Sequence, residues 1–218
     1  MKKKAVVAIT LLILFSTITT KKKIQVSQFI LKEIKIENNF ILREKDIKDL
    51  LIPFYEKNLF FLSYSDIEKA LIQNSFIQGF KIKKVYPQTL KIKVFENKPI
   101  AIVYYKKKNF YLSEKIELIE LIEQRKFKDL PYVIGNHKEF KNLYVALKEF
   151  NFPLNSVKKF IFYESNRWDI EMKNNKIIKL PSKAYKKSLK NFLNIKDKNE
   201  FQNYKIFDFR INNQLIVK

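Results

Sequence analysis

The stretch FIQGFKIKKVYPQTLKIKVFENKPIAI, residues 76–102, decides the fold. Leu90, Ile92 and Val94 alternate with Lys91, Lys93 and Phe95, the period-two pattern of a half-buried strand. Tyr86-Pro87-Gln88 interrupts two such runs as a tight turn, so the stretch reads as a hairpin. Glu96 closes it. Pro99, which has no N–H to donate to a ladder, opens a new segment.

Upstream of this hairpin the pattern predicts one strand and two helices. Ile34 and Ile36 share one face of a strand, with Lys35 and Glu37 on the other. Ile47, Leu50, Leu51 and Phe54 fall at helical spacing, and Pro53 ends or kinks that helix. Ser65 and Glu68 read as a capping box that starts a second helix before Ile67, Ala70 and Leu71. Residues 29–98 therefore form a compact βααββ unit.

Residues 99–218 read as a mostly antiparallel β domain with two helices, giving an α+β fold overall. Strands are expected at 100–105 and 110–112 around a turn at 106–109. Phe140, Leu143, Tyr144, Leu147 and Phe150 mark the first helix. Strands follow at 157–163 and 168–172. A tight turn at Asn174-Asn175 leads to a return strand at 177–180, because Asn tolerates positive φ. Pro181-Ser182 opens the second helix, which carries Tyr185, Leu189, Phe192 and Leu193. Residues 204–211 and 214–217 close the chain as strand.

Before all this, Lys2, Lys3 and Lys4 precede an uncharged run at 5–20, closed by Lys21, Lys22 and Lys23. Sixteen helical residues rise about 24 Å, against about 30 Å of bilayer hydrocarbon. Flanking lysines can snorkel to make up the difference. The run is apolar on every face, which argues against a core helix, and no A-x-A site follows to mark a cleaved signal. The reading adopted is a four-residue cytoplasmic head (1–4), a transmembrane signal anchor at 5–23, and an exported remainder.

Composition narrows the chemistry. The 218 residues carry 44 Lys+Arg against 22 Asp+Glu, a formal charge of +22. The lysines are scattered without a stripe. Lys, Asn, Ile and Phe are all abundant, as A/T-rich codons would give, so the charge does not point to nucleic acid. There is no cysteine, which excludes disulfides and thiolate metal sites. Gly79 and Gly135 are the only glycines, too few for a phosphate-cradling loop. His137, the only histidine, is expected to cap a helix and has no partner for a triad or a metal site. Glu117, Glu120 and Glu123 read as a solvated face. The expectation is a protein without enzymatic activity, cofactor, metal or small-molecule substrate.

The order of anchor, βααββ unit and β-rich tail resembles the FtsQ/DivIB family of bacterial cell-division proteins, and the likeness covers nearly the whole chain. The βααββ unit resembles a POTRA domain through Asn58-Leu59-Phe60-Phe61-Leu62, Val85-Tyr86-Pro87-Gln88-Thr89-Leu90 and Phe95-Glu96-Asn97-Lys98-Pro99-Ile100-Ala101. Leu130-Pro131-Tyr132-Val133-Ile134-Gly135 is similar to the family's LP-x-hydrophobic-x-G turn. Arg167-Trp168-Asp169-Ile170 and Asp208-Phe209-Arg210 are similar to two of its strands.

The resemblance implies a single-pass type II protein of the inner membrane, with its bulk in the periplasm. It implies a non-catalytic divisome scaffold that joins FtsB-like and FtsL-like proteins and so bears on septal peptidoglycan synthesis. It places the partner edge on the C-terminal strand. A strand with a free side can accept a partner as an added strand. The expected partner-binding residues are Arg167, Phe209, Arg210, Ile211, Asn212, Asn213, Gln214, Leu215 and Ile216. In the competing reading Asp208 and Arg210 pair within the sheet, while Trp168 is assigned to the core. The POTRA-like unit can add a second contact near Ile82 and Val85, which read equally as core. The alternative function is an exported POTRA-containing module of an envelope transport or assembly system.

Overall fold

The computed structural model describes residues 2–16, 26–121, 127–211 and 213–218. It falls into two compact units, one built from 1–38, 43–71 and 80–93, the other from 39–42, 72–79 and 94–218.

Helix α1, Lys2–Ser16, exposes Val6, Ile9, Leu12 and Leu14 alike, so apolar side chains face outward around it. No helix among the described residues is long and apolar enough to cross a membrane. Positions 17–23 of the expected anchor lie outside the described residues.

The smaller unit carries β1 (Glu33–Glu37), α2 (Glu44–Asp49) and α3 (Tyr64–Leu71). Strands β2 (Ile77–Val85) and β3 (Thr89–Glu96), whose ends at 77–79 and 94–96 are counted with the larger unit, complete a three-stranded sheet ordered β1-β3-β2. The expected βααββ order is therefore present. Strand β1 runs parallel to β3, with Ile34 opposite Leu90 and Ile36 opposite Ile92. Ile34, Leu90 and Ile92 are buried with Ile47, Leu51, Ile67 and Leu71 from the helices. Pro53 acts as expected: α2 stops at Asp49 and a short 3-10 turn, Ile52–Phe54, takes over. The capping box is displaced. Helix α3 starts at Tyr64, so Ser65 sits inside the first turn instead of preceding it.

The larger unit is built on a nine-stranded sheet ordered β12-β11-β10-β9-β8-β7-β4-β5-β6. Its strands are β4 (Pro99–Tyr105), β5 (Lys108–Ser113), β6 (Leu118–Glu120), β7 (Tyr132–Ile134), β8 (Val157–Tyr163), β9 (Arg167–Met172), β10 (Ile177–Lys179), β11 (Ile206–Asp208) and β12 (Ile216–Val217). Five of the eight pairings are antiparallel and three parallel, so the sheet is mixed. Helices α4 (Phe140–Glu149) and α5 (Tyr185–Ile195) bury Phe140, Leu143, Leu147, Leu189 and Phe192 in one core with Trp168 and Phe207. Trp168 packs between Phe140 and Phe162, at ring separations of 5.8 and 4.9 Å, as its assignment to the core required.

Four local expectations are corrected. The turn after β4 is two residues, Lys106 and Lys107, both at positive φ, the backbone of a tight hairpin. The LPYVIG motif is not a turn: Tyr132–Ile134 is a strand lying parallel between β4 and β8. Gly135 ends that strand at φ +93°. Helix α5 starts at Tyr185 after Ala184 in the left-handed region, not at Pro181-Ser182. Asn136, not His137, caps the next turn, its side chain accepting from the Lys138 N–H. His137 packs edge-on against Tyr105, 5.2 Å between rings, and desolvation lowers its pKa.

Glu96 has a structural role that its motif did not disclose. Its carboxylate accepts the backbone N–H groups of Phe40, Ile41 and Leu42, each at 2.8 Å. Three successive backbone donors are thereby gathered on one charged acceptor. Beside it, Asn97 is buried and donates its side-chain N–H to the Ser75 carbonyl.

Candidate functional site

The closing segment was expected as strand over 204–211 and 214–217. Instead the chain forms a short hairpin in which β12 folds back on β11. Strand β11 is flanked on both sides, by β10 in parallel and by β12 antiparallel. It has no open side. Asp208 explains where β11 stops: its Oδ1 accepts the Arg210 backbone N–H at 3.0 Å, an Asx-type turn that bends the chain out of the ladder.

Strand β12 is the end of the sheet, and its backbone can be traced bond by bond. The Lys218 N–H donates to the Ile206 carbonyl at 3.1 Å, and the Ile206 N–H donates to the Lys218 carbonyl at 2.9 Å. Lys218 therefore faces inward. Successive residues of an antiparallel strand point their polar groups to opposite sides. Val217 thus directs its N–H and C=O to the open side, although its side chain packs on the core. Sequence reading named the segment but not Val217, because only the pairing register tells an inward residue from an outward one.

The two arginines do not stand free. Arg210 forks onto Asp208, with Nε 2.9 Å from Oδ1 and Nη2 2.6 Å from Oδ2. That hydrogen bonding holds the Asp208 carboxyl below the usual carboxylate range. Arg167 donates to Asp169 at 2.7 Å and lies 4.1 Å over the Tyr163 ring. Burial pushes the Asp169 carboxyl up, against the pull of Arg167, Lys179 and Arg210. Asp169, Lys179 and Asp208 occupy successive positions across β9, β10 and β11, so the arginine pairs sit on one cross-strand row of alternating charge.

The other expected residues divide by burial. Phe209 is 6% exposed and belongs to the core, and its N–H donates to the Lys179 carbonyl at 2.9 Å. Leu215 packs against the same core. Ile211 and Ile216 are exposed, as are Asn213 and Gln214. Asn212 lies outside the described residues. Arg210, Ile211 and Gln214 line one side of an open groove of about 520 Å³, with Lys183, Lys187 and Asn191 on the other. Lys187 reaches across it to the Asn213 side chain at 3.1 Å. The α5 residues were missed in the sequence because their surface reads as an ordinary solvated helix face.

No group of three or more His, Cys, Asp or Glu among the described residues is arranged to hold a metal ion. Among the described residues the site offers a strand edge with no neighbouring strand, two exposed isoleucines and a groove of mixed polar and apolar lining beside them.

Comparison with known proteins matches the FtsQ-type POTRA domain family to residues 29–97 and the C-terminal family of cell division proteins FtsQ/DivIB to residues 101–210. The chain is 30% identical over 198 residues to the cell division protein FtsQ of Rickettsia felis, covering 87% of this chain and 72% of that protein. The FtsQ of Rickettsia conorii is 29% identical over 198 residues, with the same coverage of 87% and 72%. Among solved structures, the major extracytoplasmic domain of DivIB from Geobacillus stearothermophilus matches 50% of this chain and 98% of its own at 18% identity. Its TM-score of 0.33 is too low to support a structural comparison.

Proposed function

Because the chain belongs to the FtsQ/DivIB family of cell division proteins, we propose that it is a non-catalytic, membrane-attached scaffold of the divisome that captures an extended segment of an FtsB-like partner, in company with an FtsL-like one. Recruitment of these partners links septum assembly to peptidoglycan synthesis. The apolar helix α1 attaches the chain to the inner membrane as part of a single-pass type II anchor, and the rest of the chain lies in the periplasm.

The observation that carries this reading is the outward-facing N–H and C=O of Val217 at the end of the nine-stranded sheet. Main-chain hydrogen bonds from an added strand supply affinity, and neighbouring side chains supply specificity. Ile216 and Ile211 flank that edge as exposed apolar contacts. Because β12 is only two residues long, the groove beside α5 takes the part of the partner that runs past it. Arg210 offers the partner's carboxylates only what Asp208 leaves over, so it sets orientation more than affinity.

The test is capture of an FtsB-like segment by the full chain carrying Val217→Pro. The substitution removes the outward N–H while leaving the Ile206–Lys218 bonds in place. Loss of capture with an unchanged unfolding midpoint supports the edge. Undiminished capture rejects it.

A further inference from the structure

The exposed end of the smaller unit carries a cluster of aromatic rings that its core does not need. Phe61 is 82% exposed, Tyr64 54%, Phe60 53% and Tyr86 47%. Phe60 stacks on Tyr86 at 4.6 Å, and Phe29 meets Phe60 edge-on at 4.7 Å.

The loop that carries Phe60 and Phe61 is braced from three sides. Asn58 accepts the Phe60 N–H on its side chain at 2.9 Å and the Phe61 N–H on its carbonyl at 3.2 Å. The Leu59 N–H donates to the Phe29 carbonyl at 2.8 Å. Lys84 Nζ donates to the carbonyls of Phe60 and Leu62, at 3.1 and 2.9 Å. A loop fixed this firmly holds its phenylalanines outward instead of letting them fold back.

We propose that this aromatic end is a bilayer-contact surface, which inserts Phe61 and Phe60 into the headgroup region of an anionic phospholipid membrane. The inference rests on the reading of α1 as a membrane attachment. Three observations select lipid as the occupant. Phe29, which braces the loop, follows Ser16 of α1 by thirteen residues in the chain. A fully extended chain of that length spans about 45 Å, so the cluster stays within reach of whatever surface holds α1. Lys84 at the loop supplies positive charge of the kind that anionic headgroups attract. The rings themselves mix phenylalanine with tyrosine, whose hydroxyl suits the wet side of an interface. The consequence is a unit held against the membrane in one orientation.

The chain has no cysteine, so single labels are clean. The full chain with Ser63→Cys carries an environment-sensitive dye beside the rings, and a second form with Leu12→Cys carries it on α1. Both are reconstituted into phosphatidylcholine vesicles with and without phosphatidylglycerol, each containing a doxyl-lipid quencher. The Ser63 label is expected to be quenched several-fold more when phosphatidylglycerol is present, and Phe61→Ser is expected to abolish the quenching. A Ser63 label that stays aqueous overturns the proposal, whatever the Leu12 label does. Quenching at Leu12 reports separately on the attachment of α1. A Ser63 blue shift that appears in detergent and grows with protein concentration assigns the surface to a second copy, and also overturns it.

Discussion

Arg210 and Asp208 close a ring two residues wide, in which one carboxylate takes both the guanidinium fork and the backbone N–H of the same arginine. The pair ends β11 and fixes where the chain leaves the sheet. Arg210→Ala should cost about 1 kcal/mol, the upper range for a surface ion pair. A urea titration read by the single buried Trp168 checks it.

The same pair and its neighbour give opposite pH dependences. Asp208 has a depressed carboxyl, so its stabilisation is present above the unfolded value of about 3.9 and is lost as pH falls through its folded value. Asp169 has a raised carboxyl, so the folded state binds its proton more tightly than the unfolded one. Its contribution falls as pH rises from about 3.9 through its folded value. Asp208→Asn should therefore flatten the acid side of the stability curve, and Asp169→Asn should flatten the decline above it. Unfolding midpoints collected across pH for both variants separate the two.

His137 is neutral at pH 7, because burial disfavours its charged form. The unfolded chain takes up the proton first as pH falls below about 6.5, so stability declines from there down to the folded value. The lone imidazole gives one resonance to follow by NMR, and its midpoint should lie below that of a free histidine.

Glu96→Ala removes the charged acceptor shared by the backbone N–H groups of Phe40, Ile41 and Leu42 and should cost about 1.5–3 kcal/mol. Glu96→Gln keeps one acceptor oxygen and should recover part of that loss. Hydrogen exchange at Phe40, Ile41 and Leu42 should accelerate in both, more in the alanine variant.

Gly135→Ala places a Cβ 2.5 Å from the Phe162 carbonyl oxygen at a φ of +93°. Strain and clash together should cost about 2–4 kcal/mol. The readout is the urea midpoint, with Gly79→Ala as control, since a Cβ there meets nothing within 4 Å.

The smaller unit was legible because local pattern and burial agree in it. The alternation of Leu90 and Ile92, and Ile47, Leu51 and Phe54 of the helical spacing, lead to buried side chains, while Leu50 is half-buried. The larger unit hid more. Lys106 and Lys107 hold positive φ against lysine's own preference, since pairing of Tyr105 with Lys108 dictates the turn. Tyr132–Ile134 is too short to declare a strand by periodicity and owes its state to β4 and β8 on either side. At the candidate edge the residue types were readable, but the direction in which Val217 points its N–H belongs to the register and to no local pattern.

The two units interleave along the chain, and that limits how the protein can be cut. A fragment starting at Pro99 would leave behind 39–42, 72–79 and 94–98, all of which belong to the larger unit. Glu96 would go with them, and Ser75, whose hydroxyl accepts the Glu120 N–H at 2.9 Å, would go too. A break in the chain between Lys98 and Pro99 should therefore separate the two pieces only after the larger unit has begun to melt.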